Sequence, residues 1–172
     1  MRRTNRGKDW PFVTALGVKL LETGDPHGWL HLFNYDVLLQ TAEKLPCPPE
    51  VIALRPVLGL LRVRDKRLEV ALRGEMESWN QLDRLRIRVY EQAVRPYRLA
   101  VKRDRRARDP ALHTQHLVRV EHAERLLPVN PLRQHGLERL IAQARAQAAR
   151  LVPGGALKWL RHVRGCFMGL PE

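Results

Sequence analysis

Apolar residues recur at spacings of three and four along most of this chain, which is the period of an amphipathic helix. In the first such segment, Phe12, Leu16 and Leu20, with Val13 and Leu21 beside them, form one apolar face that runs to about Glu22. Asp9 stands where a cap is needed, and Pro11 falls in the first turn, where its missing N–H costs nothing. Gly24-Asp25-Pro26-His27-Gly28 reads as a turn, followed by a second helical stretch from Trp29 to Lys44 with a break near Asn34 to Asp36. Pro46-Cys47-Pro48-Pro49 stops that stretch in a rigid, extended conformation. Pro49 opens the next helix at its favoured first position, and Pro56 splits it.

The longest periodic segment runs from Asp65 to about Asp104. Leu68, Leu72, Met76, Trp79 and Leu82 make one seam, and Ile87, Tyr90, Val94, Tyr97 and Val101 make a second that Pro96 is expected to bend. Leu85-Arg86-Ile87-Arg88-Val89 also alternates with period two, as a strand would, but its flanks are helical. Asp109-Pro110 supplies a cap and a first-turn proline for a helix reaching about Leu127. Pro128-Val129-Asn130-Pro131 then ends that helix and starts another, with Asn130 as its cap. Leu137, Leu140, Ile141, Ala144, Ala148 and Leu151 form the clearest stripe in the chain. Pro153-Gly154-Gly155 closes it, and a short helix follows from Ala156 to Val163. The expectation is an all-α fold of six to eight helices joined by proline-rich turns, with no convincing sheet. Its parts are a helical region over residues 1–105, subdivided at 46–49, and a C-terminal helical hairpin with a short terminal helix over 106–172.

Composition narrows the chemistry. The 172 residues are 44% apolar but only 6% aromatic, so the core rests on Leu, Val and Ala. Ser78 is the one serine and follows Glu77 without flanking glycines, so no nucleophile elbow surrounds it. Cys47 and Cys166 lie far apart and form no C-x-x-C, which excludes a zinc ribbon or a thioredoxin-type site. Free thiols and the lack of a signal sequence point to the cytoplasm, and no apolar run approaches a membrane span. No P-loop, dinucleotide fingerprint, H-E-x-x-H or D-x-D is present. Glu75 and Glu77 would sit about 200° apart on a helix and cannot share a metal ion. His113 and His116 can share a face, but His122 points away, so the three read as solvated polar positions. No catalytic residue, metal or cofactor is assigned.

The formal net charge is +13, and 25 of the 31 cationic residues are Arg. Such a balance favours anionic partners, although GC-rich codon usage alone enriches Arg, Ala, Leu, Val and Pro. The densest group is Arg95, Arg98, Lys102, Arg103, Arg105, Arg106 and Arg108, interrupted only by Asp104. With Tyr97 alongside, it could track the phosphate backbone of RNA or DNA and stack a base. It reads more readily as a solvated helix end whose Tyr97 belongs to the core seam. A second group, from Arg133 to Arg164, holds seven cations against Glu138. The helices around Pro128 to Pro131 imitate a helix-turn-helix only weakly, because the turn holds two prolines and no glycine and the helix after it is long.

Arg6-Gly7-Lys8-Asp9-Trp10-Pro11-Phe12-Val13 resembles the R-x-K-D segment of toxin-type, defence-related nucleotidyltransferases, in which it opens a helix leading into a helical C-terminal region. The likeness is close over about the first 20 residues and loose beyond. It implies electrostatic support of a nucleotide site by Lys8 and Asp9. The family's Gly-Ser and paired acids should precede this point, yet only five residues precede Arg6 and no such motif follows. The resemblance therefore implies a non-catalytic helical piece, truncated or separately encoded, with no enzymatic activity of its own. Two other expectations stand beside it: a basic module that binds RNA or DNA through its Arg-rich faces, and an interaction domain for an acidic protein or a missing catalytic subunit.

Overall fold

Prolines and Asx caps divide the chain into its elements. A computed structural model describes residues 9–61 and 65–161. Among them are seven α-helices and no strand: α1 Trp10–Glu22, α2 Tyr35–Lys44, α3 Pro49–Leu54, α4 Leu68–Arg103, α5 Leu112–Leu126, α6 Pro131–His135 and α7 Leu137–Ala148. Short 3-10 helices lie at Pro26–His31, Pro56–Leu61, Arg105–Arg108 and Ala156–Trp159. The all-α expectation holds, and residues 85–89 are helical within α4. No helix among the described residues is long and apolar enough to cross a membrane.

Local signals account for most boundaries. The Asn34 side chain accepts from the Val37 N–H at 3.0 Å, and Asn130 accepts from the Arg133 N–H at the same distance. Both are standard caps at helix starts. Pro49 and Pro131 occupy first-turn positions, and Pro56 opens a 3-10 helix instead of continuing α3. Helix α4 runs unbroken through Pro96.

Five expectations need correction. The terminal helix expected from Ala156 ends at Trp159 as a single 3-10 turn, with Leu160 already extended. The Asp9 side chain makes no cap hydrogen bond, because its backbone is already in the right-handed helical region instead of the extended one that a capping side chain requires. Asp109 does not cap a helix beginning at Pro110. Its carboxylate accepts from the Ala111 N–H at 2.8 Å in a local turn, and α5 starts at Leu112. The single helix expected after Asn130 is two, because Gly136 takes φ +92° and breaks it. Lastly, the Phe12–Leu16 face of α1 points outward: Phe12 is 77% and Leu16 54% exposed, while Thr14 and Gly17 are buried. The cause is a backbone approach. A Cβ built on Gly17 would stand 2.8 Å from the Gly28 carbonyl oxygen, and one on Gly28 would collide with the Gly17 carbonyl. Thr14 earns its buried place by accepting the Phe33 N–H at 3.1 Å.

The chain forms two compact units, Met1–Leu82 with Ala142–Glu172, and Asp83–Ile141. The first holds the main apolar core, built on Trp29, Leu32, Leu38, Leu58, Leu68 and Leu72. Trp10 packs on Phe33 with ring centroids 4.4 Å apart. In the second unit, Leu85, Val89, Val118, Leu132, Leu140 and Ile141 are buried. This smaller unit carries the dense cationic segment.

Candidate nucleic-acid interface

The unit Asp83–Ile141 has fourteen Lys or Arg against seven Asp or Glu, a net charge of +7 in 59 residues. Its first element is the C-terminal part of α4. From Tyr90 to Arg106 no residue is buried, so this stretch presents a wide arc to solvent. Arg95, Arg98, Lys102, Arg103 and Arg105 are all exposed and make no side-chain hydrogen bond or ion pair among the described residues.

The other two sequence candidates are engaged. Arg106 donates to the Asp104 carboxylate at 2.9 Å and to Glu121 at 3.1 Å. Arg108 donates to the Lys102 carbonyl at 3.0 Å. Asp104 organises this corner. Its carboxylate caps the 3-10 helix Arg105–Arg108 by accepting the Arg106 N–H at 2.9 Å. Hydrogen bonds from the Arg106 side chain hold its pKa well below the usual carboxylate range, against the opposing effect of desolvation. The Arg106 backbone N–H and His122 add to the lowering. His122 is buried, with Nε2 3.1 Å from Asp104 Oδ2 and Nδ1 3.1 Å from the Arg125 guanidinium. Arg has only donors, so Nδ1 accepts and Nε2 carries the proton toward Asp104. His122 is thus a structural link between α5 and the end of α4 and is not one of the solvated positions expected of it.

The sequence reading of the basic segment began too late. At 100° per residue, Arg84, Arg88, Arg95, Arg98 and Lys102 lie within an arc of about 80° on α4, over about 27 Å of helix. Arg88 is exposed and has no side-chain partner among the described residues. The signal was present as the spacing 4-7-3-4, with Glu91 the only acid on the same face. Charge density along the sequence hid it, because the upstream arginines are diluted by apolar neighbours. Tyr97 is half-buried on another side of the helix.

A second charged cluster lies in the unit that holds the main core. Arg55, Glu75 and Arg161 are 0%, 1% and 7% exposed. Arg55 Nε and Nη2 donate to Glu75 Oε2 at 2.9 and 2.7 Å, and Arg161 Nε donates to Oε1 at 2.9 Å. The surplus positive charge is met by carbonyl oxygens: Trp29 and Leu32 accept from Arg55 at 2.8 Å, and Leu30 accepts from Arg161 at 2.9 Å. The Arg55 guanidinium also lies 4.4 Å from the Phe33 ring centroid. The three carbonyls lie at the end of the 3-10 helix Pro26–His31, which the two arginines join to Glu75 on α4, so the cluster is a structural tie. Sequence reasoning missed it, because Glu75 and Arg161 stand 86 residues apart.

Of the residues carried over from the nucleotidyltransferase resemblance, Lys8 lies outside the described residues, and Asp9 sits exposed at the start of α1. Cys166 and Arg164 also lie outside them. No group of three or more His, Cys, Asp or Glu side chains able to hold a metal ion occurs among the described residues. Comparison with protein-family models, with curated proteins and with solved structures finds no match to this chain.

Proposed function

We propose that the protein binds the sugar–phosphate backbone of nucleic acid through the cationic face of α4. One observation carries this proposal: Arg88, Arg95, Arg98 and Lys102 are exposed on a single helix face with no anionic partner among the described residues. Stabilisation of the helix explains only part of them. Cations in the last turn favour the negative end of the helix dipole, which suits Lys102 and Arg103, but the effect fades beyond one turn and does not reach Arg88 or Arg95. Repeated unpaired cations along one line instead match a repeating anion, whose condensed counterions are released on binding.

An acidic protein is the weaker match for the same face. Protein interfaces rely on a desolvated apolar or aromatic centre, and here the face offers only Leu99, 41% exposed, beside the cations. The activity expected is binding alone, without catalysis.

Fluorescence polarisation with labelled oligonucleotides between about 50 and 200 mM salt tests the proposal. Binding should weaken with a log–log slope of roughly −3 to −5, as four or five phosphate contacts require. The triple variant Arg95→Glu/Arg98→Glu/Lys102→Glu, checked for retained helix content by circular dichroism, should lose most of that affinity. No binding at the lowest salt, or unchanged binding by a folded triple variant, overturns it.

A further inference from the structure

The groups that stand near the cationic face specify the kind of nucleic acid. Proteins that hold single strands without sequence preference pair a basic groove with aromatic rings on which successive bases stack. The unit Asp83–Ile141 contains no Trp and no Phe, and its only Tyr residues are Tyr90 and Tyr97. Both lie on α4, roughly 120–140° round the helix from the centre of the cationic stripe. Tyr97 is half-buried as well. The exposed imidazoles of His113 and His116 belong to α5, not to this face. The side chains between the cations are therefore Glu91 and Leu99, neither of which can stack a base.

A face that reads only phosphates gains most where phosphates are densest. Duplex nucleic acid carries one charge per about 1.7 Å of axis, and its counterion release per contact is larger, with a slope of about −0.9 per phosphate against about −0.7 for a single strand. Amide side chains of the kind that read adenine edges are also scarce on this stretch. The amide nearest the stripe is Gln92, about 60° from Arg95, and no Asn lies between Tyr90 and Arg108.

Building on the nucleic-acid proposal above, we infer that the partner is a double helix, held through its phosphates without regard to sequence, and not a single strand. The helix stretch Tyr90 to Arg103, free of buried residues, lies along the duplex with Arg95, Arg98 and Lys102 on phosphates. Arg88 extends the contact by about two turns.

The test compares four labelled probes of about 20 nucleotides at matched salt: a DNA duplex, an RNA duplex, and one strand of each. Both duplexes should bind at least about tenfold more tightly than their own strands, and scrambling the sequence should change affinity less than about threefold. Tyr90→Ser should bind the duplexes as the parent does. Equal or tighter binding of either single strand overturns the inference, as does a loss of about tenfold on Tyr90→Ser, while leaving nucleic-acid binding itself intact. Absence of binding to all four probes removes the underlying proposal instead, so the two failures are distinguishable.

Discussion

Arg55 and Glu75 lie side by side in the core, with two guanidinium nitrogens of Arg55 within 2.9 Å of one carboxylate oxygen of Glu75 and neither residue exposed by more than 1%. Arg161 approaches the other carboxylate oxygen. Glu75 is thus the single anion between two buried cations. Removing its charge leaves both guanidinium groups uncompensated, a situation that costs about 3–5 kcal/mol when one partner of a buried pair is deleted. Glu75→Gln should lower stability by that order in urea unfolding followed by circular dichroism. Glu69→Gln, on the same helix but exposed, should stay within about 0.5 kcal/mol. Equal effects of the two changes would show that the cluster contributes little.

The same carboxylate sets an acid limit. Burial alone would raise the Glu75 pKa, but the charges of Arg55 and Arg161 and their hydrogen bonds outweigh that, so it falls below 4.5. A carboxyl that titrates lower in the folded state stabilises it fully above its unfolded pKa, and that contribution is lost as pH falls through the folded value. The difference in urea midpoint between the parent and the Glu75→Gln protein should therefore hold steady from neutral pH down to about 5 and narrow below about 4.5. The Glu75→Gln protein, already without the contribution, should show a flatter decline. Parallel pH curves for the two proteins would contradict this assignment.

The contact between Gly17 and Gly28 makes a steric prediction. Alanine normally favours a helix over glycine by about 1 kcal/mol. At Gly17 the added methyl would meet the Gly28 carbonyl at 2.8 Å and a Leu32 methyl at 2.9 Å, so overpacking should win. Gly17→Ala and Gly28→Ala should each destabilise by about 1–3 kcal/mol. The two positions share one contact, so the double variant should cost less than the sum. Gly154→Ala, where nothing lies within 4 Å, is the neutral control. A stabilised Gly17→Ala protein would mean that α1 does not pack this closely.

The outward face of α1 is the counterpart of that contact. Phe12 and Leu16 are mostly in solvent, so Phe12→Gln and Leu16→Gln should change unfolding free energy by no more than about 0.5 kcal/mol each. Leu38→Ala, at a site with no exposure, should cost about 2–5 kcal/mol. If Phe12→Gln proved as costly as Leu38→Ala, the helix would have to be turned with its aromatic face inward.

How far the sequence could be read follows from the range of each force. Asn34, Pro49, Pro56 and Asn130 act on their own neighbours, so the boundaries they set were visible as residue types at fixed offsets. The α4 stripe was visible too, as helical spacing of Arg, once charge was sorted by helix face and not by density along the chain. The orientation of α1 was not. Phe12 and Leu16 satisfy the helical period, and only the partner backbone at Gly28 makes the glycine side the closer one. The Arg55–Glu75–Arg161 tie was equally hidden, because a charge reads as solvent-facing until its distant partners and the carbonyls of Trp29, Leu30 and Leu32 are in place. His122 shows the same limit on a smaller scale, since Asp104 and Arg125 are what make its burial tolerable.

Arg88 offers a sharper test of the cationic face than the residues of the dense segment. If net charge alone drives association, neutralising any exposed arginine should weaken binding by a similar amount and leave the salt slope nearly fixed. If the stripe itself lies on phosphates, Arg88→Gln and Arg95→Gln should each reduce the log–log salt slope by about 1. Arg119→Gln, exposed on α5 and outside the stripe, should change it far less. The relevant measurement is duplex affinity for all three variants across the same salt series. Equal slopes for Arg88→Gln and Arg119→Gln would reduce the stripe to general charge attraction. A loss confined to Arg95→Gln would shorten the contact to the end of α4.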